Sequence, residues 1–380
     1  MCVNAIPGCG TRRRPLLRVG RIGSRTHWKL LLLYPWGEMS WTAWGVPVMV
    51  IGVLALAIAA LLAYLSWSSL KLVSIPLKGR HVVITGGSSG IGLEVAKLAA
   101  AEGARISLVA RDLSKLADAK SIVTEYCRQN LQGEEKINTY SADVKSFEST
   151  RLAIAAAVGH SGPIEVLLLS HGVSRVLTFD DSTIEDFDHI LDTNLKGNIH
   201  TIKAALPHIK SSKAVPAAIS IFSSQAGLVG VYGYAAYSAS KFALRGLAEC
   251  LQQELVDRNI RLSLVYPPDT MTPGYMEDQK TMPEITRILS QATTPMDPVS
   301  VARSALTGLK AGHFHIDCNF EGAALSLVCA GMSPQPSFLR ALTEILSMGI
   351  LRVVALFVQK SWYDTILQAK QKECQPKKTQ

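Results

Sequence analysis

The sequence has no pair of cysteines at CxxC spacing, the spacing typical of structural zinc ligands and of dithiol redox sites. Its seven cysteines are scattered and odd in number, which argues against a disulfide framework. We expect most of them to be small buried hydrophobes in a reducing compartment. The pattern therefore predicts no metal site.

Charged residues are scarce, at 18% of 380 residues, while 48% are apolar and predict a sizeable core. Seven cations and one acid in residues 1–38, with five cations and two acids in residues 359–380, account for the whole net charge of +9. A protein that binds a phosphate backbone needs its positive charge on the folded surface. Because the body is neutral, we exclude nucleic acid as a partner.

No charged residue lies between Glu38 and Lys71. Residues 46–65 are almost wholly apolar, and as a helix they would span about 30 Å, the thickness of a bilayer core. Three tryptophans flank this run, as is typical of a membrane interface: Trp41, Trp44 and Trp67. The run is long for a signal peptide and lacks a small-residue cleavage site. We therefore favour a transmembrane anchor over residues 44–67, the alternatives being a signal peptide and a buried helix.

Residues 1–40 form a basic extension with two interpretations. Their cations, glycines and serines resemble a transit peptide, whereas a true start at Met39 would remove the segment altogether. With the extension, the positive-inside rule places the N-terminus in the cytoplasm and the body across the membrane. With a start at Met39, the rule places the body in the cytoplasm. Charge counting leaves both open.

Short β-branched runs alternate with helical patterns over residues 79–320. The predicted strands are 81–85, 105–110, 137–142, 164–170, 217–223, 260–266 and 313–318. The predicted helices are 91–102, 112–130, 146–159, 182–210, 235–256 and 298–311. Near-continuous apolar strands separated by helices indicate a parallel sheet covered on both faces. We predict an α/β fold with a doubly wound, Rossmann-like parallel sheet.

Residues 321–380 form an apolar helical tail. Apolar side chains recur at helical spacing over residues 341–358, but Glu344 and Arg352 disfavour a simple membrane-spanning helix. An amphipathic helix on the membrane surface, a re-entrant pair, a dimer interface and a packed helix all fit this pattern.

A glycine-rich turn joins the first strand to the first helix of the body. Three glycines at GxxxGxG spacing and their neighbours form the candidate site: Gly86, Ser88, Ser89, Gly90, Ile91 and Gly92. Glycines here let the backbone turn sharply and approach a pyrophosphate at the helix N-terminus. Glycine-rich turns also occur in hairpins. This one follows the first strand of a βαβ unit, and that position predicts dinucleotide binding.

Cations at the end of the second strand indicate which dinucleotide binds. Arg111 and Lys115 suit the 2′-phosphate of NADP, whereas an NAD site would have a carboxylate for the ribose hydroxyls. Asp112 is the one residue here that would suit NAD, and we interpret it instead as a helix cap. The sequence therefore favours NADPH.

Tyr237 and Lys241 lie four residues apart on a predicted helix, so both side chains share one face. A nearby cation favours the phenolate and should bring the pKa of the tyrosine down toward neutrality. Ser224 closes the fifth strand and can converge with Tyr237 at the carboxyl edge of the sheet. Asn194 lies within a helical pattern, where an isolated asparagine is usually a surface residue or a kink.

In these motifs, the chain resembles the short-chain dehydrogenase/reductase family over residues 79–320. The resemblance implies that Tyr237 is the general acid/base, that Lys241 lowers its pKa and holds the nicotinamide ribose, and that Ser224 binds the substrate carbonyl. It implies that Asn194 orders a water relay behind Lys241. It further implies cofactor contacts from five other residues: Asp143, Val144, Gly172, Pro267 and Thr272.

Two positions depart from the family pattern. The family's Asn-Asn-Ala-Gly after the fourth strand is Leu169-Ser170-His171-Gly172 here, so Gly172 is kept but the strand-bracing asparagine is missing. We interpret His171 as a local hydrogen-bonding substitute rather than as a second acid. Pro268 replaces the usual glycine and stiffens the loop after the sixth strand.

Further motifs resemble membrane reductases of a long-chain keto base, among them Ser-Ser-Gln-Ala-Gly at 223–227 and Tyr-Pro-Pro-Asp-Thr at 266–270. This likeness implies a lipid ketone substrate at the endoplasmic reticulum membrane. A catalytic domain facing the cytoplasm and a homodimer pairing through helices 182–210 and 235–256 are further expectations. A reductase of another lipophilic ketone and a non-catalytic, NADPH-responsive membrane scaffold are the alternatives.

Overall fold

The computed structural model describes residues 41–67, 73–130, 136–213, 216–291, 293–335 and 337–373. The predicted basic extension, residues 1–40, lies outside the described residues, as do the side chains of the three flanking tryptophans. The chain divides into two units, with the boundary at Ala59–Ala60.

The first helix, α1, is Trp41–Trp67. Its segment Gly45–Tyr64 is long and apolar enough to cross a membrane, and nearly all of its side chains are exposed. The helix is compatible with the predicted anchor over residues 44–67, which stays a prediction.

The body is built on seven parallel strands in the order β3-β2-β1-β4-β5-β6-β7. The strands are β1 His81–Thr85, β2 Arg105–Ala110, β3 Ile137–Ser141, β4 Val166–Leu169, β5 Ala217–Phe222, β6 Ile260–Tyr266 and β7 His315–Asp317. Chain order reverses between β1 and β4, which is where open α/β sheets bind ligands. The predicted doubly wound, Rossmann-like sheet is confirmed, with strand ends displaced by up to two residues.

Helices cover both faces of this sheet. They are α2 Gly90–Ala101, α3 Leu113–Asn130, α4 Phe147–Ser161, α5 Ile184–Leu191, α6 Gly197–Lys210, α7 Ala235–Glu254, α8 Pro273–Thr281, α9 Glu284–Ser290, α10 Pro298–Lys310, α11 Phe320–Val328 and α12 Phe338–Glu373. Val82 and Ile84 pack in one core with α2, α3 and α10, while Val83 packs in the other with α4, α6 and α7. Alternate residues of a strand thus serve opposite layers, which explains why the strands are apolar throughout.

The helix predicted over residues 182–210 is interrupted. Between α5 and α6, residues Asp192–Lys196 form one π-helical turn that contains Asn194. A π-turn holds one extra residue, so it shifts the side chains on either side of it relative to a regular helix. Apolar periodicity does not reveal this interruption because both flanking helices keep their buried faces.

The tail forms two helices, α11 and α12, that contact each other. Helix α12 has 36 residues and by length and composition also qualifies as a membrane span. Its half-buried residues recur at helical spacing and face the body: Ser347, Leu351, Ala355, Gln359 and Trp362. Large apolar side chains on its other faces are exposed, among them Leu346, Ile350 and Phe357.

Candidate active site

A cavity of about 1280 Å³ lies at the carboxyl ends of β1, β4, β5 and β6. All the predicted site residues except Asp143 and Asn194 line it: Gly86, Ser88, Ser89, Gly90, Ile91, Gly92, Arg111, Lys115, Val144, Gly172, Ser224, Tyr237, Lys241, Pro267 and Thr272. Its volume exceeds the range of about 300–1,000 Å³ that is usual for a pocket holding one small ligand. The cavity therefore has room for a dinucleotide together with a second molecule.

The turn after β1 is a backbone cradle. Gly86 has a φ of +71° and Gly90 a φ of +55°, conformations that favour glycine. A Cβ at Gly92 would overlap the carbonyl oxygen of Gly86 and the Oγ of Ser170. Ser89, the N-cap of α2, makes no side-chain cap hydrogen bond within the described structure. Backbone N–H groups at the start of α2 thus face the cavity uncapped, which fits a pyrophosphate.

Charges at the end of β2 follow the predicted arrangement. Arg111 and Lys115 are exposed at the cavity rim. The carboxylate of Asp112 accepts a hydrogen bond of 3.1 Å from the backbone N–H of Lys115, which makes it a cap at the start of α3. The two cations remain available for a phosphate.

Ser224, Tyr237 and Lys241 converge in the cavity. Ser224 follows β5 and its Oγ accepts a hydrogen bond of 3.1 Å from the N–H of Ala226. The Nζ of Lys241 lies 5.5 Å from the ring centroid of Tyr237 and donates a hydrogen bond of 2.8 Å to the carbonyl oxygen of Phe222. The predicted sharing of one helix face by the phenol and the ammonium is present.

Burial sets the acidity of both groups. It raises the pKa of Tyr237 to about 12, although a hydrogen bond with Ser224 opposes the rise. It lowers the pKa of Lys241 to about 8. Our expectation that the ammonium brings the phenol toward neutrality is therefore wrong for the protein alone, because loss of hydration outweighs a cation that is hydrogen-bonded elsewhere.

Asn194 lies behind the cavity wall and is fully buried. Its Oδ1 accepts from the N–H of Val173 and its Nδ2 donates to the carbonyl of Val173, both at 2.8 Å. A Cβ at Gly172 would lie 3.4 Å from both the Asn194 Oδ1 and the Lys241 Nζ. The asparagine, which lies on the π-turn, thus fixes the loop after β4 that passes beside the ammonium.

His171 is buried beneath the glycine turn. The amide of Asn198 donates to its Nε2 at 3.3 Å, so Nδ1 carries the proton and donates to the Oγ1 of Thr85 at 2.6 Å. Burial, aided by the charge of Lys241, lowers the pKa of His171 to about 3. The neutral ring is hydrogen-bonded at both nitrogens, so it ties the segment after β4 to the end of β1 and to α6. This agrees with our interpretation of His171 as a hydrogen-bonding substitute.

The other three predicted cofactor contacts, Asp143, Pro267 and Thr272, lie in loops, and backbone hydrogen bonds and caps fix their positions. Asp143 does not line the cavity, and its carboxylate accepts a 3.0 Å bond from the N–H of Lys145, which shapes the turn beside Val144. The carbonyl of Pro267 accepts a 3.1 Å bond from the N–H of Gln225. Thr272 caps α8, and its Cγ2 would lie 3.1 Å from a Cβ at Gly90, so this loop touches the glycine turn.

Sequence reasoning missed two groups of lining residues. One is a polar group on the same side of the cavity as Tyr237, formed by Ser174, Tyr234, Asp269 and Asp278. The ring of Tyr234 lies 5.7 Å from that of Tyr237, a contact that their i,i+3 spacing could have indicated. The other group is apolar and comes from the two tail helices: Phe320, Ala324, Leu325, Val328, Leu351, Ala355, Val358 and Trp362.

The short chain dehydrogenase family model matches residues 80–283. The chain belongs to this family. It is an oxidoreductase with the family's NAD(P)H-binding fold, and the resemblance found in its motifs is confirmed. A crystal structure of actinorhodin polyketide ketoreductase with NADPH superposes with a TM-score of 0.57 at 25% identity, covering 63% of this chain and 95% of that one.

Three relatives within the family carry names specific to one substrate. A 3-dehydrosphinganine reductase of Arabidopsis thaliana is 47% identical over 295 residues, which is 77% of this chain and 87% of that protein. One of Danio rerio is 37% identical, covering 77% and 86%. A 3-ketodihydrosphingosine reductase of Bos taurus is 35% identical over 320 residues, covering 83% and 95%.

Proposed function

We propose that this oxidoreductase reduces the C3 ketone of 3-ketodihydrosphingosine to the alcohol dihydrosphingosine in sphingolipid biosynthesis, with NADPH as the reductant. One observation carries this proposal: a single cavity joins the glycine turn and the Ser224–Tyr237 pair to an apolar cleft between α11 and α12. Long-chain keto bases have a polar reacting head and a long alkyl tail, so this combination suits them. The names of the similar proteins point to the same substrate.

The glycine turn and the rim cations would hold the dinucleotide. The N–H groups at the start of α2, with Ser88 and Ser89, suit its pyrophosphate, and Arg111 with Lys115 suits the 2′-phosphate that distinguishes NADPH. When bound, the reduced nicotinamide supplies a hydride to the carbonyl carbon. Arg111 is exposed and has no ion-pair partner among the described residues, which favours a phosphate as its partner.

Tyr237 would supply the proton that completes the reduction. With a pKa of about 12, its hydroxyl is protonated at neutral pH and is a proton donor to the carbonyl oxygen as negative charge develops there. The hydroxyl of Ser224, hydrogen-bonded with Tyr237, would stabilise the same oxygen. The ketone thus gains a hydride at carbon and a proton at oxygen, leaving the tyrosine to be reprotonated from solvent.

Lys241 and Asn194 would support this proton transfer. The ammonium, buried beside the phenol ring, stabilises the negative charge that Tyr237 acquires on giving up its proton. Asn194 fixes Val173 through two hydrogen bonds and so holds the wall against which the ammonium lies. We propose it as a positioning residue that also orders water behind Lys241.

The apolar cleft would take the alkyl tail of the substrate. Side chains of α11 and α12 line it, and the outer faces of α12 are apolar and exposed. Since each buried CH₂ stabilises a lipid chain in a bilayer by about 0.8 kcal/mol, a long-chain base resides in the membrane. Contact of α12 with the bilayer would let the head group reach Tyr237 while the tail stays in apolar surroundings.

The proposal extends to the membrane arrangement. We propose an anchor at 44–67, a reductase domain at 79–320 and a membrane-associated tail at 321–380, at the endoplasmic reticulum with the catalytic domain facing the cytoplasm. A homodimer through α6 and α7 belongs to the same proposal and rests on the family resemblance.

Microsomes containing the full chain provide the test. Incubation with 3-ketodihydrosphingosine and NADPH should give the alcohol by mass spectrometry, with much less product from NADH. The Y237F variant in the same membranes is the control for endogenous reductases. Reduction of steroid, retinoid or simple long-chain ketones in preference to the keto base would assign the enzyme to another lipid, and absence of NADPH oxidation with every ketone would favour the scaffold.

A further inference from the structure

Two aspartates line the cavity beside the catalytic tyrosine. Asp269 lies in the loop after β6, and Asp278 lies on α8, the helix that follows this loop. The hydroxyl of Ser174, after β4, donates a hydrogen bond to the carboxylate of Asp278. Three separate segments therefore bring two carboxylates and a hydroxyl to one side of the cavity.

Neither carboxylate has a cationic partner among the residues that the structure describes. The other acids that line the cavity differ: Asp112 caps α3, Glu277 pairs with Lys280, and Glu321 accepts a hydrogen bond from the amide of Asn319. Burial raises the pKa of both Asp269 and Asp278, so their charged forms are incompletely solvated. Partly buried carboxylates of this kind are stabilised by a cation.

The two carboxylates lie close enough to act on the reacting group. Their negative charges contribute to the raised pKa of Tyr237 and of Tyr234. Of the cations that line the cavity, Arg111 and Lys115 lie at the end of β2 and Arg352 lies on α12. Lys241 lies beside the Tyr237 ring, but its hydrogen bond goes to the carbonyl of Phe222 and it forms no ion pair with either aspartate. Both carboxylates are therefore available to a further cation.

We propose that Asp269 and Asp278 bind the protonated amine of the substrate and so select 2-amino ketones over neutral ketones. This proposal rests on the proposed function. In the substrate named there, the carbon that bears the amine is bonded directly to the carbonyl carbon that is reduced. A carbonyl placed at Ser224 and Tyr237 necessarily brings the ammonium into the same part of the cavity. Ser174 holds one of the two carboxylates in place through its hydrogen bond.

A charged amine between two carboxylates makes charge-assisted hydrogen bonds, which are about twice as strong as neutral ones. A neutral ketone of the same length, or an N-acylated keto base, leaves both carboxylates without a partner. An enzyme discriminates strongly against a substrate analogue that leaves buried polar groups of the site without a partner, as these analogues would. The apolar cleft by itself would accept all of these lipids.

The test uses the purified full-length protein in detergent with NADPH and two ketones of equal chain length. One is 3-ketodihydrosphingosine, and the other is 1-hydroxyoctadecan-3-one, which has hydrogen in place of the amine. The variants are D269N, D278N and, as a matched control, E284Q on α9, whose carboxylate pairs with Arg287 outside the cavity.

We expect each cavity variant to lower kcat/KM for the amine substrate at least tenfold, which corresponds to about 1.4 kcal/mol, chiefly through KM. Turnover of the neutral ketone should change less than about twofold or increase, and E284Q should resemble the wild type. Equal losses on both ketones, or none on the amine substrate, would overturn the amine site. Failure of the wild type to reduce the amine substrate would instead overturn the proposed function.

Discussion

The ammonium of Lys241 lies 5.5 Å from the ring centroid of Tyr237, while its 2.8 Å hydrogen bond goes to the carbonyl of Phe222 at the end of β5. The lysine is 4% exposed and has no carboxylate partner within the described part of the chain. A buried cation held only by a carbonyl is poorly compensated, which is why the pKa of Lys241 falls to about 8. The pair is therefore held close together although the pKa of Tyr237, at about 12, is still far above neutral pH.

Replacement of Tyr237, the proposed general acid, gives the most direct prediction. Y237F removes the proton donor but keeps the ring, so kcat should fall by about 10²- to 10⁴-fold while NADPH binding is retained. Stopped-flow turnover and fluorescence titration of NADPH measure the two quantities. Y363F, at an exposed tyrosine of α12, is the control and should retain full activity. Unchanged turnover in Y237F would assign the proton to another group.

The acidity of Lys241 predicts a pH dependence. As pH rises through about 8, the free enzyme loses the ammonium, so kcat/KM for reduction should fall about tenfold per pH unit above that value. The measurement uses the neutral ketone 1-hydroxyoctadecan-3-one, because the amine of the keto base would itself lose its proton in this range. Tyr237, with a pKa of about 12, stays protonated, so this limb of the pH profile belongs to the lysine. In K241R the guanidinium remains charged and the limb should vanish, even if activity at pH 7 is lower. An identical limb in K241R would contradict the assignment.

Cofactor preference depends on Arg111 in our proposal. R111A should raise KM for NADPH about tenfold or more and leave KM for NADH within about twofold, because only NADPH carries the 2′-phosphate. Initial rates with both cofactors at saturating ketone measure the ratio. R128A, which removes an exposed arginine at the other end of α3, should leave both values unchanged. Parallel losses with both cofactors would point to a general effect on the site.

The glycine turn predicts a contrast between two helical glycines. G92A places a methyl group against the Gly86 carbonyl and the Ser170 hydroxyl, so NADPH binding should be lost or fall at least a hundredfold. G159A on α4 meets no atom within 4 Å and should raise the free energy of unfolding by about 0.5–1 kcal/mol. Fluorescence titration and thermal unfolding measure these effects. Normal binding in G92A would show that the turn does not hold the dinucleotide.

The sequence by itself determined the sheet, its two helical layers and nearly all of the predicted cofactor and catalytic residues that line the cavity. Continuous apolar strands such as residues 217–222 need cover on both faces, and this requirement is local enough to be seen in the pattern. Ser224, Tyr237 and Lys241 were found because strand ends and helix spacing already imply that they meet. Asp112 was correctly interpreted as a cap for the same reason, since capping acts over three residues.

Only the tertiary structure decided the pKa values of the site residues and the apolar cleft formed by α11 and α12. The pKa of Tyr237 depends on burial and on carboxylates 32 and 41 positions away in the chain, and no local spacing encodes such distances. Asn194, on the π-turn, is likewise bonded to Val173, which lies 21 positions away in the chain. The apolar cleft depends on α12 folding back over the body, which its periodicity alone left open. Solvation and long-range contacts are collective properties of the folded chain, whereas strands, helices and their caps are set by neighbouring residues.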